Sequence, residues 1–166
     1  MQQWKFPPIA KIYEALGAVA DGRVSEANDH SATVTSSSGD KNYTVEWADN
    51  FEWITSNDNA SFWQGYVGYP IIAVLLKKGV LHFDEKTAEF LKGVPWKKIN
   101  TKHKNKFDKT IDEVLENVRE HGGDPNSIIK ECQKLDEELR ALNLQRPAKK
   151  RPPPKPMPKP DQGQLL

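Results

Sequence analysis

From Tyr43 to Gly79 the chain has to fold with neither a cysteine nor a histidine, although the stretch is dense with structural signals. Tyr43-Thr44-Val45-Glu46-Trp47 alternates with period two, Ala48-Asp49-Asn50 reads as a turn, and Phe51-Glu52-Trp53-Ile54-Thr55 is a further strand pattern. Pro70 opens a helix and Gly79 ends it, with Ile71, Ile72, Val74, Leu75 and Leu76 between them. Apolar residues all round that helix predict burial against the sheet. Side-chain packing, not a coordinated ion or a disulfide, must hold strands to helix. Phe51, Trp53, Phe62, Trp63, Tyr66 and Tyr69 are the large side chains at hand, and they are expected to form the clamp, with one or two left over for a stacking surface.

The flanking segments set the fold class. Pro7 and Pro8 precede a helical pattern in which Ile9, Ile12, Tyr13, Leu16, Val19 and Ala20 share a face, stopped by Asp21-Gly22. Arg23-Val24 starts a strand segment, and Ala32, Val34 and Ser36 alternate with Thr33 and Thr35 before the turn Ser37-Ser38-Gly39-Asp40. Asp84 predicts an N-cap for a short helix closed by Gly93. Two longer helices follow. Phe107, Ile111, Val114, Leu115 and Val118 line one, and Ile128, Cys132, Leu135, Leu139 and Leu142 line the other at a 4-3-4-3 spacing. The break at His121-Gly122-Gly123 favours an antiparallel helical hairpin over residues 104–143, its seam serving internal packing or a weak dimer. The expected architecture is α+β: a small antiparallel β-meander packed on helices, one domain over residues 4–144, with that hairpin at its end. Residues 145–166 carry seven prolines between Pro147 and Pro160 and no apolar period, which predicts a disordered, basic, Pro-rich tail.

Charge is segregated along the chain although the net charge is only +1. Residues 92–110 hold 7 Lys or Arg against 1 Asp, and residues 146–166 hold 6 against 1, while 1–60 and 111–145 are acidic. The two basic segments either neutralise the acidic ones in the fold or meet a polyanion. The apolar run Ile71–Leu76 is far short of a membrane span, and the opening MQQWKFPPIA lacks the pattern of a cleavable signal, so a cytoplasmic protein without membrane contact is expected.

Catalytic and metal signatures are missing. His30, His82, His103 and His121 lie in separate segments and Cys132 is the one cysteine, so neither a metal nor a cofactor is assigned. No nucleophile elbow or phosphate loop occurs, and no catalytic residue is assigned. Thr55-Ser56-Asn57-Asp58-Asn59 reads as a self-bonded turn, with a ligand-facing loop around Asp58 as the alternative. Trp96, Lys97, Lys98, Lys102, Lys104 and Lys106 mix cations with an aromatic, the composition that grips phosphates and stacks on unpaired bases. Trp63 and Tyr66 are added as candidate contacts. In the tail, Lys150, Arg151, Pro153 and Pro156 fit a basic-x-x-Pro-x-x-Pro docking pattern. The ending Gln162, Gly163, Gln164, Leu165, Leu166 resembles the C-terminal peptides by which replication and repair proteins dock on a sliding clamp, without their aromatic residue.

Residues 23–79 resemble the SWIM zinc-finger family. Tyr43-Thr44-Val45 matches its strand, and Gly68-Tyr69-Pro70-Ile71-Ile72-Ala73-Val74-Leu75-Leu76 matches its final segment when anchored on Ala73. The register puts Gly68 and Pro70 where the family has its last Cys and His, and the first Cys pair near Thr55 and Asn57 or one residue later. The resemblance implies a metal-free interaction module, not a catalyst. The function expected is therefore a small non-enzymatic accessory protein that binds macromolecules, with nucleic acid or a nucleic-acid-processing protein as partner. The alternatives are a protein adaptor acting through tail and hairpin, and an enzyme using the Asn57-Asp58-Asn59 loop.

Overall fold

The computed structural model of the chain describes residues 1–158. It is a mixed α+β structure with antiparallel sheets. Strands β2 (Val24–Asn28), β3 (Ser31–Thr35), β4 (Asn42–Trp47) and β5 (Ile54–Ser56) form one sheet in sequence order, every neighbour antiparallel. A second, two-stranded sheet pairs β1 (Gln2–Gln3) with β6 (Gln145–Arg146). Trp4 ties this small sheet to the large one, its Nε1 donating to the Ile54 carbonyl at 2.8 Å. Neither short strand is legible in the sequence, because two residues carry no periodicity.

The alternation in β3 and β4 works out as a sheet with one buried face. Ala32, Val34, Tyr43, Val45, Trp47 and Ile54 point inward, and the register sets Val34 opposite Tyr43, Ala32 opposite Val45 and Trp47 opposite Ile54. Strand β5 starts later than its sequence pattern suggests: Asp49–Phe51 makes a tight 3-10 turn, with Asn50 and Phe51 at φ 59° and 56°. Against the inner face lies α2 (Tyr69–Lys77), whose Ile71, Ile72, Val74, Leu75 and Leu76 are all buried. The clamp between sheet and helix is therefore mainly aliphatic, which corrects the expectation of an aromatic one. Phe51, Trp53, Phe62 and Tyr66 are only half-buried and Trp63 is 70% exposed. Branched aliphatics interdigitate closely across a pleated face, while the rings gather at its rim.

Helix α1 (Ala10–Ala20) is enclosed from Ile12 through Ala18 and does not show one apolar face only. It packs on α2 and also meets α3 (Glu85–Glu89), α5 (Phe107–Glu120) and α6 (Pro125–Ala141). That central position has a large consequence, because it buries Glu14. Asp84 and Asp124 cap α3 and α6, accepting from Lys86 N at 3.3 Å and Asn126 N at 3.0 Å. Helices α5 and α6 are joined by the link at residues 121–124 and pack on one another. The 4-3-4-3 stripe of α6, from Ile128 through Leu139, lies in the chain's own core, so it is not an open dimer seam.

Cys132 is fully buried beside the Tyr13 hydroxyl. Burial pushes its thiol well above the ordinary value of 9.0. A thiol reagent at pH 8 is expected to label it only as fast as the protein unfolds, and the labelling rate measured with and without urea checks this. The unfolded chain releases this proton at a lower pH than the folded one. Its contribution to stability is thus complete below the ordinary thiol range and is lost as pH rises above it.

Candidate functional site

A cleft of about 180 Å³ opens between α1, the β3–β4 turn, the loop after β5 and α4 (Trp96–Lys102). Each wall is placed by an element already described. The Pro7-Pro8 start and the apolar packing of α1 carry Lys11 and Glu14 to the cleft. Arg23 leads into β2, Ser36, Ser37 and Lys41 sit at the turn, and Tyr43 and Tyr69 come from β4 and α2. Asp58 and Asn59 border it from the loop, and Lys97, Asn100 and Thr101 from one side of α4.

Glu14 is 4% exposed, and its Oε1 accepts from Asn100 Nδ2 at 2.6 Å. Lys11 Nζ lies 3.0 Å from Oε2 but out of line for a hydrogen bond, so it offsets the charge and leaves that oxygen without a hydrogen-bond donor. Arg23 donates through Nε to Asp21 and through Nη1 to the Thr35 carbonyl, leaving Nη2 buried and unpaired. Asn100 Oδ1 is unpaired too. The turn is hooked to α4: Lys97 N donates to Ser37 Oγ at 3.1 Å and Lys97 Nζ to Asp40 Oδ2 at 3.1 Å. Hydrogen bonds from Ser38 and Lys97 hold the Asp40 carboxyl far below the usual carboxylate range. Tyr43 and Tyr69 meet edge to face with centroids 6.2 Å apart. Burial, reinforced by the charges of Asp58, Asp40 and Glu14, pushes the Tyr43 hydroxyl up to about 12, so it stays a donor at neutral pH.

Asp58 is 3% exposed and closes the π-helical turn Ala60–Gln64, accepting from Ser61 N at 3.1 Å and Ser61 Oγ at 2.6 Å. Asn57 Oδ1 accepts from Thr44 N at 2.8 Å, which pins the loop to β4. Asp58 is thus anchored within its own turn, and the cleft runs past it. Gly68 packs directly on the Asp58 carboxylate. These two positions are aligned with metal ligands by the SWIM resemblance, yet Thr55, Ser56, Asn57, Gly68 and Pro70 do not form a zinc set. Among the described residues no group of three or more His, Cys, Asp or Glu could hold a metal ion.

Of the basic segment, Lys97 borders the cleft and Lys98, Lys104 and Lys106 are exposed. Those three pair with no carboxylate among the described residues, whereas Lys102 Nζ lies 2.5 Å from Glu113 Oε1. Trp96 also lines the cleft but is only 3% exposed, with its indole Nε1 against Gly17, so it is a core residue at the cleft wall and not an exposed stacking surface. Apolar Trp96 and Ile99 turn inward on α4 and force Lys97 and Lys98 outward. Trp63 is exposed and Tyr66 half-buried, and neither borders the cleft.

The tail up to Pro158 lies along the sheet. Arg151 pairs with the Glu46 carboxylate, Met157 N donates to the Asp40 carbonyl at 2.6 Å, Pro153 is half-buried, and Lys150 and Pro156 are exposed. Gln162, Leu165 and Leu166 lie outside the described residues.

Sequence reasoning missed Lys11, Glu14, Arg23, Lys41, Tyr43 and Asn100 as site residues. One signal was present: Glu14 is the only charged residue between Lys11 and Asp21, in an otherwise apolar helix. A family model described as "Uncharacterised conserved protein UCP014422" matches residues 4–145. No curated protein and no solved structure matches the chain.

Proposed function

The chain belongs to the UCP014422 family, and we propose that its domain is a non-enzymatic binding module that holds single-stranded nucleic acid, one unit in the cleft and the backbone along α4. The carrying observation is the size of the cleft beside free lysines. At about 180 Å³ it has the volume of roughly six waters and falls below the ~300 Å³ where pockets for whole small molecules begin. It suits one group projecting from a larger molecule. Lys98, Lys104 and Lys106 stand exposed nearby, and Lys97 and Lys98 sit at a helix N-terminus, where their charge opposes the dipole and folding gains little from them. The Asp58 carboxylate is committed to Ser61, which favours holding over acid–base chemistry. The SWIM resemblance fits the same reading, with the Asp58–Gly68 contact taking the place of a metal.

Four phosphate contacts to a single strand predict a slope of log affinity against log salt of about −3, or a roughly fiftyfold loss between 50 and 200 mM salt. Anisotropy of a labelled oligonucleotide measures both. Changing Lys97, Lys98, Lys102 and Lys104 to Glu is expected to abolish the binding, and Lys98→Glu with Lys104→Glu, which breaks no ion pair, to weaken it more than tenfold. Unchanged affinity in the double variant would sink the reading.

A further inference from the structure

We propose that Trp63 and the root of the tail form a second contact surface for single-stranded nucleic acid, with one unpaired base stacked on the Trp63 indole and the flanking phosphates on Lys149 and Lys150. The π-helical turn Ala60–Gln64 has two sides. Ala60 borders the cleft, while Phe62 shares a small hollow with Arg146, Lys149 and Lys150, where the tail leaves β6. Trp63 is 70% exposed, and Phe62 braces it edge to face with ring centroids 4.7 Å apart. A single exposed ring on a surface is ordinary. This one is held by a second ring and flanked by cations, the combination that single-strand binding surfaces use.

The charge around the ring is one-sided. Arg146, Lys149, Lys150 and Arg151 line the hollow, and no carboxylate does. Arg151 is neutralised by Glu46. Arg146 donates to Gln2 Oε1 at 2.8 Å and lies over the Trp4 ring. Its guanidinium also rests on Gly65, the residue that ends the turn, where a Cβ would stand 3.3 Å from Nη1. Arg146 therefore fixes the tail root to the turn and leaves the two lysines free to reach a ligand. Lys149 and Lys150 are exposed and pair with no carboxylate among the described residues. Lys5 adds a third exposed cation beside the turn, its backbone N donating to the Gly65 carbonyl at 3.2 Å. Unneutralised cations next to an open indole complement a polymer that carries both negative charge and flat faces. A duplex has its faces already stacked on one another, so the unpaired strand is the form that fits.

The inference rests on the nucleic-acid reading for its polymer, but it uses residues outside the cleft and α4, so the two can fail separately. The test is anisotropy of a labelled oligouridine of about twelve nucleotides, within the ~4–16 that one small binding domain covers, titrated with the full chain. Stacking of one base on an aromatic side chain changes affinity by about 5- to 150-fold. Trp63→Ala is therefore expected to weaken binding at least fivefold with the salt slope unchanged, and Trp63→Tyr to keep most of the affinity. Affinity for a duplex of the same length should not move in either variant. Lys149→Ala with Lys150→Ala should instead lower the salt slope by about 1.4, the value for two single-strand phosphate contacts. All three positions are exposed, so these variants are expected to fold. Equal oligouridine affinity of Trp63→Ala and the unaltered chain overturns the stacking surface, and the nucleic-acid reading survives if Lys98→Glu with Lys104→Glu still loses binding. A loss in Trp63→Ala with none in that α4 variant keeps this surface and removes the path along α4. Co-sedimentation with phosphatidylserine vesicles that depends on Trp63, without oligouridine binding, overturns the inference in favour of a membrane surface. No binding of oligouridine by the unaltered chain removes both readings.

Discussion

Gly68→Ala is expected to destabilise the protein by about 3 kcal/mol, through one carbon atom in a place that already holds a carboxylate. A Cβ built on Gly68 would stand 2.1 Å from Asp58 Oδ2 and 2.6 Å from its Cγ. The backbone is no obstacle, since Gly68 has φ −80° and ψ 165°, which any residue adopts. The penalty is steric, and Asp58 cannot step aside cheaply. It is tied to Ser61 N and Oγ, and both residues are almost fully buried, so moving it strands two donors. Urea unfolding of the single variants Gly68→Ala and Asp58→Ala and of the double variant measures the coupling. Removing the carboxylate makes room for the methyl group, so the double variant should be about 1–2 kcal/mol more stable than the sum of the single losses. Strict additivity would show that the two residues do not meet.

Leu75→Ala is expected to cost a similar amount, about 3 kcal/mol within the 2–5 kcal/mol range for emptying a buried leucine site. Leu75 has no exposed surface and sits on a helix buried along its length between sheet and α1. Its backbone carbonyl also accepts from Val80 N and Leu81 N, so the turn after α2 is anchored at the same residue and cannot collapse freely into the cavity. For a domain of this size the melting temperature should fall by roughly 6–12 °C. By contrast, Trp63→Ala should leave it nearly unchanged, because that ring is 70% exposed. A large loss at Trp63 with a small one at Leu75 would restore the aromatic clamp.

The contrast between these residues shows where sequence patterns carry information. Period-two alternation over Ala32–Thr35 and Tyr43–Trp47 implies inward and outward sides, and the sheet has them. Caps at Asp84 and Asp124 are local chemistry, readable within three residues. The cluster of rings between Phe51 and Tyr69 was misleading, because ring density says nothing about which residue reaches the centre and which stays on the rim. Lysine density on α4 was informative about exposure: with Trp96 and Ile99 turned inward, Lys97 and Lys98 had to face outward.

The cleft itself belongs to another order of information. Strand alternation, helix starts and stops, the absence of paired metal ligands and the segregation of charge were written in the sequence, because each depends on neighbours within a turn or a strand. The burial of Glu14, its bond to Asn100 across 86 positions, and the convergence of Arg23, Asp58 and Lys97 were decided by tertiary packing alone. A helix shows one apolar face to its own sequence. Only the helices that close over its other side can turn a carboxylate on the expected solvent face into a buried one.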